Sequence, residues 1–435
     1  MSENPPVVQL AKGYDGTAAE AAEDPRRVAD EAAAILDELK QKKKWEEAVD
    51  RFYPVAEKAP AAAAGRTDLK IRSRVAFCLG QIGRPREAVD EMKICVERFP
   101  NNFMYRASLG YGAYNALWAE KNREIRLSPE ERSEMRKLAH ENFEAAQTLR
   151  PDGVTNFYRQ GMLWSRLEDK PAKGLPLFQR AIRNWDGLTD PEREARKQEK
   201  KNLVKSLYQA ASAELRLGFP DRALAALSRC MNEDEKTDYL QPLFKRFALG
   251  KIQFHRGEAG DGAAALEWAL EARRGNQPVD FVYELLGRCR LALGDAEGAL
   301  AAARRVPERV RRPYVRWTEA DALIALERTA EARNALAAAL DRDRLGKHKT
   351  LIRLARLEYA EGRFDHARRC AIEAGRFFRE KWGKLYAEAG YWEAMAALAL
   401  GDAESARGIL TVMDKEFPDF GRVAALRQAL AEAAA

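Results

Sequence analysis

One spacing recurs along this chain and leaves few folds open to it. An apolar helical segment is followed by a short turn that often holds Gly, then by an Ala with a large residue four places on and a small one seven places on. The N-terminal instance, KKKWEEAVDRFYPVAEKAP, carries Ala48, Phe52, Val55 and Pro60. The second, AFCLGQIGRPREAVDEMKICVERFP, carries Ala76, Leu79, Gly83, Ala88, Met92, Cys95 and Pro100. Later instances place Ala139/Phe143/Ala146/Pro151, Gly174/Phe178/Ala181 and Ala223/Leu227/Cys230. Leu249-Gly250 with Gly257 and Trp268, and Leu286-Gly287 with Gly294 and Ala299, follow the same order. Ala332/Leu336/Ala339, Gly362/Ala367/Ala371 and Gly401/Ala406/Leu410/Pro418 complete the series. Intervals of four and seven place side chains on one helical face, so each copy reads as two helices meeting over small residues.

Composition agrees with a helical array. Of 435 residues, 46% are hydrophobic and 32% charged, which is ample apolar material for cores and excludes global disorder. Runs of Val, Ile and Thr with period-two alternation are nearly absent, so no strands are expected. No run approaches the roughly 20 apolar residues needed to cross a bilayer, and MSENPPVVQL lacks the order of a signal peptide, so a soluble, cytoplasmic protein without a membrane partner is expected. The five cysteines (Cys78, Cys95, Cys230, Cys289, Cys370) are far apart and encode neither a disulfide framework nor a zinc ribbon.

The repeat resembles that of the tetratricopeptide repeat (TPR) family, about 34 residues long, with about ten copies over roughly residues 28 to 418. The resemblance implies an all-α fold, a right-handed α-solenoid of TPR-like helical hairpins. The small residue at the eighth place of the first helix and the Ala at the twentieth place mark where the two helices approach most closely. Gly83, Gly218, Gly257, Gly294, Gly362 and Gly401 fall at the turn between them, where a left-handed conformation suits Gly. Residues 1–27 read as a flexible tail, 28–418 as the solenoid and 419–435 as a capping helix with Val423, Leu426 and Leu430 on one face. Two extended helices are expected, near 116–150, where Ser128-Pro129-Glu130-Glu131 is a cap signal, and as one helix over 190–217. The charged first half of the second would stand clear of the solenoid.

Catalytic chemistry finds little material. GxxxxGK[ST], HExxH, GxSxG and CxxC are all absent, and no cofactor or metal site is expected. Gly346-Lys347-His348-Lys349-Thr350 resembles the end of a phosphate loop but lacks the upstream glycine and the preceding strand. His255 and His366 have no second ligand at metal spacing. The expectation is a non-enzymatic scaffold or adaptor that holds, positions or regulates a partner protein.

By the resemblance, the second, fifth, ninth, twelfth and thirteenth places of each first helix line a concave groove. Those places hold an aromatic and net positive set, from which Tyr111, Tyr158, Tyr208, Phe244, Phe247, Lys251, Phe281, Arg288, Trp317 and Arg356 are the candidate partner-binding residues. Lys205 and Arg166 fall on the same face. The competing reading is that a share of these aromatics packs between repeats. Chaperone-tail capture by TPR proteins uses a lysine at the fifth place and an asparagine at the ninth. Here those pairs read Ser73/Phe77, Tyr208/Ser212, Phe247/Lys251, Glu284/Arg288 and Ile352/Arg356, so that mode is not expected. A second candidate is a basic patch, ARRVPERVRRPYVR, with Arg304, Arg305, Arg309, Arg311, Arg312 and Arg316 against the single Glu308. It suits an acidic segment of a partner protein or, as an alternative function, a nucleic-acid backbone. The net charge of +7 over this length argues against the latter. A peptide-sensing regulator is a third class, disfavoured because residues 1–28 are too short for the DNA-binding domain such proteins resemble.

Overall fold

The computed structural model describes residues 23–433 and contains, among those residues, helices and turns but no strand. Most of the expected N-terminal tail, residues 1–22, lies outside the described residues. Pro25 already opens the first helix, Pro25–Gln41, whose N-terminus is capped by the Asp24 carboxylate accepting from the Arg26 N–H.

The chain divides into two compact units, the first ending at Ser206 and the second beginning at Leu207. In the first, helices pair in sequence order: Pro25–Gln41 with Trp45–Phe52, Leu69–Gln81 with Pro85–Arg98, Phe103–Lys121 with Pro129–Leu149, and Thr155–Met162 with Pro171–Asp186. In the second the pairs are Pro242–His255 with Ala259–Glu271, Asp280–Ala292 with Ala296–Arg304, Pro313–Ala325 with Thr329–Leu340, Lys347–Ala360 with Phe364–Trp382, and Ala387–Ala399 with Ala403–Glu416. Lys200–Arg216 carries the border between units and precedes Pro220–Glu233. Within each unit the first helices of successive hairpins lie beside one another. This is an all-helical solenoid of TPR-like hairpins.

The small residues sit where the hairpins close. Ala48, Ala139, Ala181, Ala223, Ala299, Ala332, Ala367 and Ala406 are wholly buried, and Ala88 nearly so. Contact is closest where both partners are glycine. A Cβ on Gly250 would lie 2.9 Å from the Gly262 carbonyl oxygen, and one on Gly174 would lie 2.7 Å from that of Gly161. The turn between helices requires a left-handed residue, as at Gly83 (φ 78°) and Gly294 (φ 80°). Where no glycine is present Lys43, Arg123, Asp169 and Glu327 take up the same positive φ, so the hairpin geometry overrides the local preference.

Two helices depart from expectation. In the first copy the second helix does not run on to Pro60. It ends at Phe52, because Pro54 cannot continue it, and Val55 is buried from a separate short turn. The helix expected over 190–217 is broken into Asp190–Ala195, a 3₁₀ turn at Lys197–Glu199, and Lys200–Arg216. Glu199 is buried at this break, its carboxylate accepting from the Thr155 hydroxyl (3.4 Å) and lying 3.6 Å from Arg196. Asp190–Ala195 does bury none of its residues. The lengthening near 116–150 takes the form of a longer helix, Phe103–Lys121, a loop, and Pro129–Leu149 with Ser128 and Glu131 forming a reciprocal capping box. At the C-terminus Val423, Leu426 and Leu430 of helix Val423–Glu432 cover Ala394, Ala397, Ala406 and Met413.

Two glycine substitutions separate contact from helix propensity. Gly250→Ala is expected to lower stability by about 1–3 kcal/mol through overpacking against Gly262 and Leu266. Gly408→Ala, inside a helix with open space around it, should raise stability by roughly 0.5–1 kcal/mol. Urea midpoints of the two variants check both signs.

Candidate partner-binding faces

In the second unit Phe244, Phe247 and Phe281 meet one another: Phe247 approaches Phe281 edge-on at 4.6 Å, and Phe244 stacks on it at 6.3 Å. Phe247 and Phe281 also lie against the buried cluster of Leu243, Leu266, Val282 and Leu286. They therefore join adjacent hairpins, while Phe244 stays 40% exposed. Lys251 and Arg288 are exposed, with the Arg288 guanidinium over the Phe254 ring (4.8 Å) and 3.7 Å from the Glu284 carboxylate. Trp317 donates its indole N–H to Thr350 (2.8 Å) and carries Arg353 on its face (4.9 Å). Tyr208 is partly buried, and Arg356 is exposed.

The six arginines of the basic stretch do not form one surface. Arg311 and Arg316 are buried, Arg311 bonding the Glu319 carboxylate (2.7 Å) and the Val306 carbonyl, Arg316 lying against Glu308. Arg304 reaches Glu319 and Glu331, and Arg312 reaches Asp280. Only Arg305 and Arg309 are exposed without a carboxylate partner among the described residues. The stretch itself holds one acidic residue; Glu319 follows it on helix Pro313–Ala325, and folding brings Asp280 and Glu331 from two further helices. The patch is thus largely internal ion pairing.

Pairing of this kind is general on the first-helix faces. Arg74 bonds Asp37 (2.7 Å) and holds that carboxyl below its usual range; Arg353 lies 3.5 Å from Asp321, and Arg422 lies 3.0 Å from Glu388. Arg159 differs. It follows Tyr158 on helix Thr155–Met162, and its guanidinium lies flat over the Tyr111 ring, 3.7 Å from the centroid. Tyr111, Tyr114 and Tyr158 surround it, and no described carboxylate pairs with it. Burial pulls its pKa below the ordinary guanidinium value, with only tyrosines opposing that shift. Tyr158 is itself pushed up to about 12 by burial. In the same unit burial also lowers the pKa of Lys205, whose charged neighbour is Lys201, and of Lys121, which bonds the Arg166 carbonyl. These are cations taken partly out of water, with Asp169 partly opposing the shift at Lys121.

Tyr111 and Tyr158 are therefore brought together by Arg159, a residue that the inward-facing places in the sequence passed over. Nothing in the sequence flags it, because lacking a counter-ion depends on which carboxylates the neighbouring helices bring.

The remaining sequence candidates are structural. All five cysteines are buried, and burial pushes their thiols up, Cys78, Cys289 and Cys370 to about 11 and Cys95 and Cys230 to about 12. Protonated thiols of this kind are poor nucleophiles. Gly346–Thr350 starts a helix at Lys347, and the Asp343 carboxylate already accepts from the N–H groups of Leu345 and Gly346. Among the described residues no group of three His, Cys, Asp or Glu side chains is placed to hold a metal ion, and no helix is long and apolar enough to cross a membrane.

Helix pairs that turn through a left-handed residue, close over small side chains and set their first helices side by side define this chain as a TPR-like α-solenoid. No family model matches it, and no curated protein matches it. Among solved structures it is similar to PilW, a type IV pilus biogenesis factor, at 16% identity over 55% of this chain and 91% of that one, with a TM-score of 0.41. It is also similar to pilF of Pseudomonas aeruginosa (15% identity, 54% and 99% covered, TM-score 0.40). A tetratricopeptide repeat protein of Parabacteroides merdae aligns at 12% identity over 65% of this chain and 96% of its own, with a TM-score of 0.45. These are likenesses of helical architecture alone.

One histidine gives the fold a pH dependence of known sign. His348 is 5% exposed, with the rings of Phe378, Trp382 and Tyr386 centred 5.0–5.1 Å away. Burial, with Lys349, lowers its pKa from 6.5 against a smaller opposing effect of Asp343. Folded His348 thus stays neutral while the unfolded chain takes up a proton, so stability is complete above the ordinary value and is lost as pH falls through it. His255, lowered by burial, Lys251 and Arg288, adds in the same direction. Relative to wild type, His348→Phe should gain melting temperature as pH falls from about 7.5 to about 5.5, read by thermal melts of both proteins across that range.

Proposed function

We propose that this chain is a non-catalytic protein-binding scaffold, and that the first-helix face of its first unit holds an acidic and apolar segment of a partner protein. Arg159 carries the reading. A partly buried guanidinium retains its charge and forgoes some hydration, which is unfavourable unless an anion completes the site. Its planar fork suits a carboxylate in two-point contact, and the tyrosines around it supply hydroxyl donors and broad ring surface with few rotors. Lys205, Lys121 and Arg166 on neighbouring helices raise the local positive potential and favour an acidic partner on approach. In the second unit Phe244, Lys251, Arg288 and Arg356 are exposed on first helices and are further candidate contacts for a partner. Phe247, Phe281 and Trp317 contribute ring edges there while joining hairpins, and the partly buried Tyr208 is a further candidate contact.

The reading separates binding from stability at one residue. Arg159→Met should leave the melting temperature of the free protein unchanged or raised, because it removes an uncompensated charge. The same change should weaken capture of the partner on the order of 30-fold or more. Affinity purification from the native host with wild type and variant, read by mass spectrometry and thermal melts, checks both outcomes. Partner capture undiminished in Arg159→Met would reject the site.

A further inference from the structure

Resting on that reading, we infer that the partner segment carries an apolar side chain two residues from its carboxylate, and that this side chain enters a slot beside Tyr111. The slot lies between helices Leu69–Gln81 and Phe103–Lys121, with Ala88 and Met92 of helix Pro85–Arg98 beneath it. Phe77 forms one wall and is 42% exposed; Tyr111 forms the other. Its lining includes no charged residue.

Two features indicate an occupant rather than a packing fault. Gly80 lines the slot from inside a helix, where glycine weakens the helix, yet a Cβ there would meet nothing within 4 Å. The missing side chain relieves no contact within the protein and leaves this part of the slot open. The closely packed glycines Gly161, Gly174 and Gly250 differ, each being forced by a neighbouring helix. The second feature is Tyr111, which is wall of the slot and platform of the Arg159 guanidinium at 3.7 Å. One ring therefore belongs to both an apolar site and an anion site. An extended chain advances about 3.3 Å per residue and presents alternate side chains to one face, so residues i and i+2 span such a ring. Charge complementarity at Arg159 commits the occupant to an acidic protein segment, and the uncharged slot commits its neighbour to a side chain such as Leu, Met or Phe.

The test uses the full chain and fluorescein-labelled Gly/Ser peptides, read by fluorescence anisotropy. Each peptide carries Asp or Glu two residues from Leu, Phe or Ala, in both orders. Free and amidated C-termini distinguish a side-chain carboxylate from a terminal one. The wild type is expected to bind the Leu or Phe peptides at least tenfold more tightly than the Ala peptides. Gly80→Leu, whose Cβ meets nothing within 4 Å, should keep or raise the melting temperature and bind all of them as weakly as the Ala series. Gly80→Ala, which fills less of the slot, should retain most of the preference. Equal binding of the Leu, Phe and Ala peptides by the wild type would overturn the slot while leaving the acidic-segment reading intact. Failure of every acidic peptide to bind would overturn both. A sedimentation shift on concentration that Gly80→Leu abolishes would assign the slot to a second copy of the chain and overturn the inference.

Discussion

Everything in this molecule follows from how closely the two helices of a hairpin approach. At Gly250 and Gly262, and at Gly161 and Gly174, the backbones come so near that one added carbon would press on a carbonyl oxygen. Elsewhere a buried alanine sets a slightly wider spacing. That contact fixes the register of the hairpin, and the left-handed turn residue is its consequence, as the positive φ of Asp169 and Glu327 shows where no glycine is present. Once paired, each hairpin still has an apolar flank, which the next hairpin covers and which helix Val423–Glu432 covers at the end. The fold is therefore a chain of local contacts.

Such an architecture leaves the first helices side by side and their outward side chains free for other work. Most of that work is electrostatic. Arg74, Arg311, Arg353 and Arg422 each find a carboxylate on a different element, so a mildly basic chain ends with many of its charges cancelled in pairs. Against this background an arginine seated on a tyrosine ring with no acid beside it is a departure, and departures from local consistency concentrate at functional positions. The scaffold supplies rigidity, and the unbalanced charge supplies direction to what it binds.

The aromatic residues divide along the same line. Phe247 and Phe281 face the inside of the helix layer and join hairpins, whereas Phe77 and Phe244 keep much of their surface in solvent. Both kinds occupy the same nominal places of the repeat. Helical spacing gives the side of the helix a residue is on, but the depth of the neighbouring helix decides whether it is covered. At the break over Arg196–Glu199, a charged run that reads as one exposed helix turns one glutamate inward, against Thr155 and Arg196.

Fold class, the hairpin repeat, the turn glycines, the Ser128 cap and the final covering helix were all legible in the amino-acid order, since each rests on contacts within some forty neighbouring residues of the sequence. Site residues were legible only as a face. Tyr111 and Tyr158 could be placed on it, but Arg159 could not be singled out, and six arginines in one stretch looked like a surface until Glu319, Glu331 and Asp280 paired with three of them. Local periodicity determines what lies on which side of a helix. Charge balance and exposure are sums over several helices, and only the tertiary structure performs those sums.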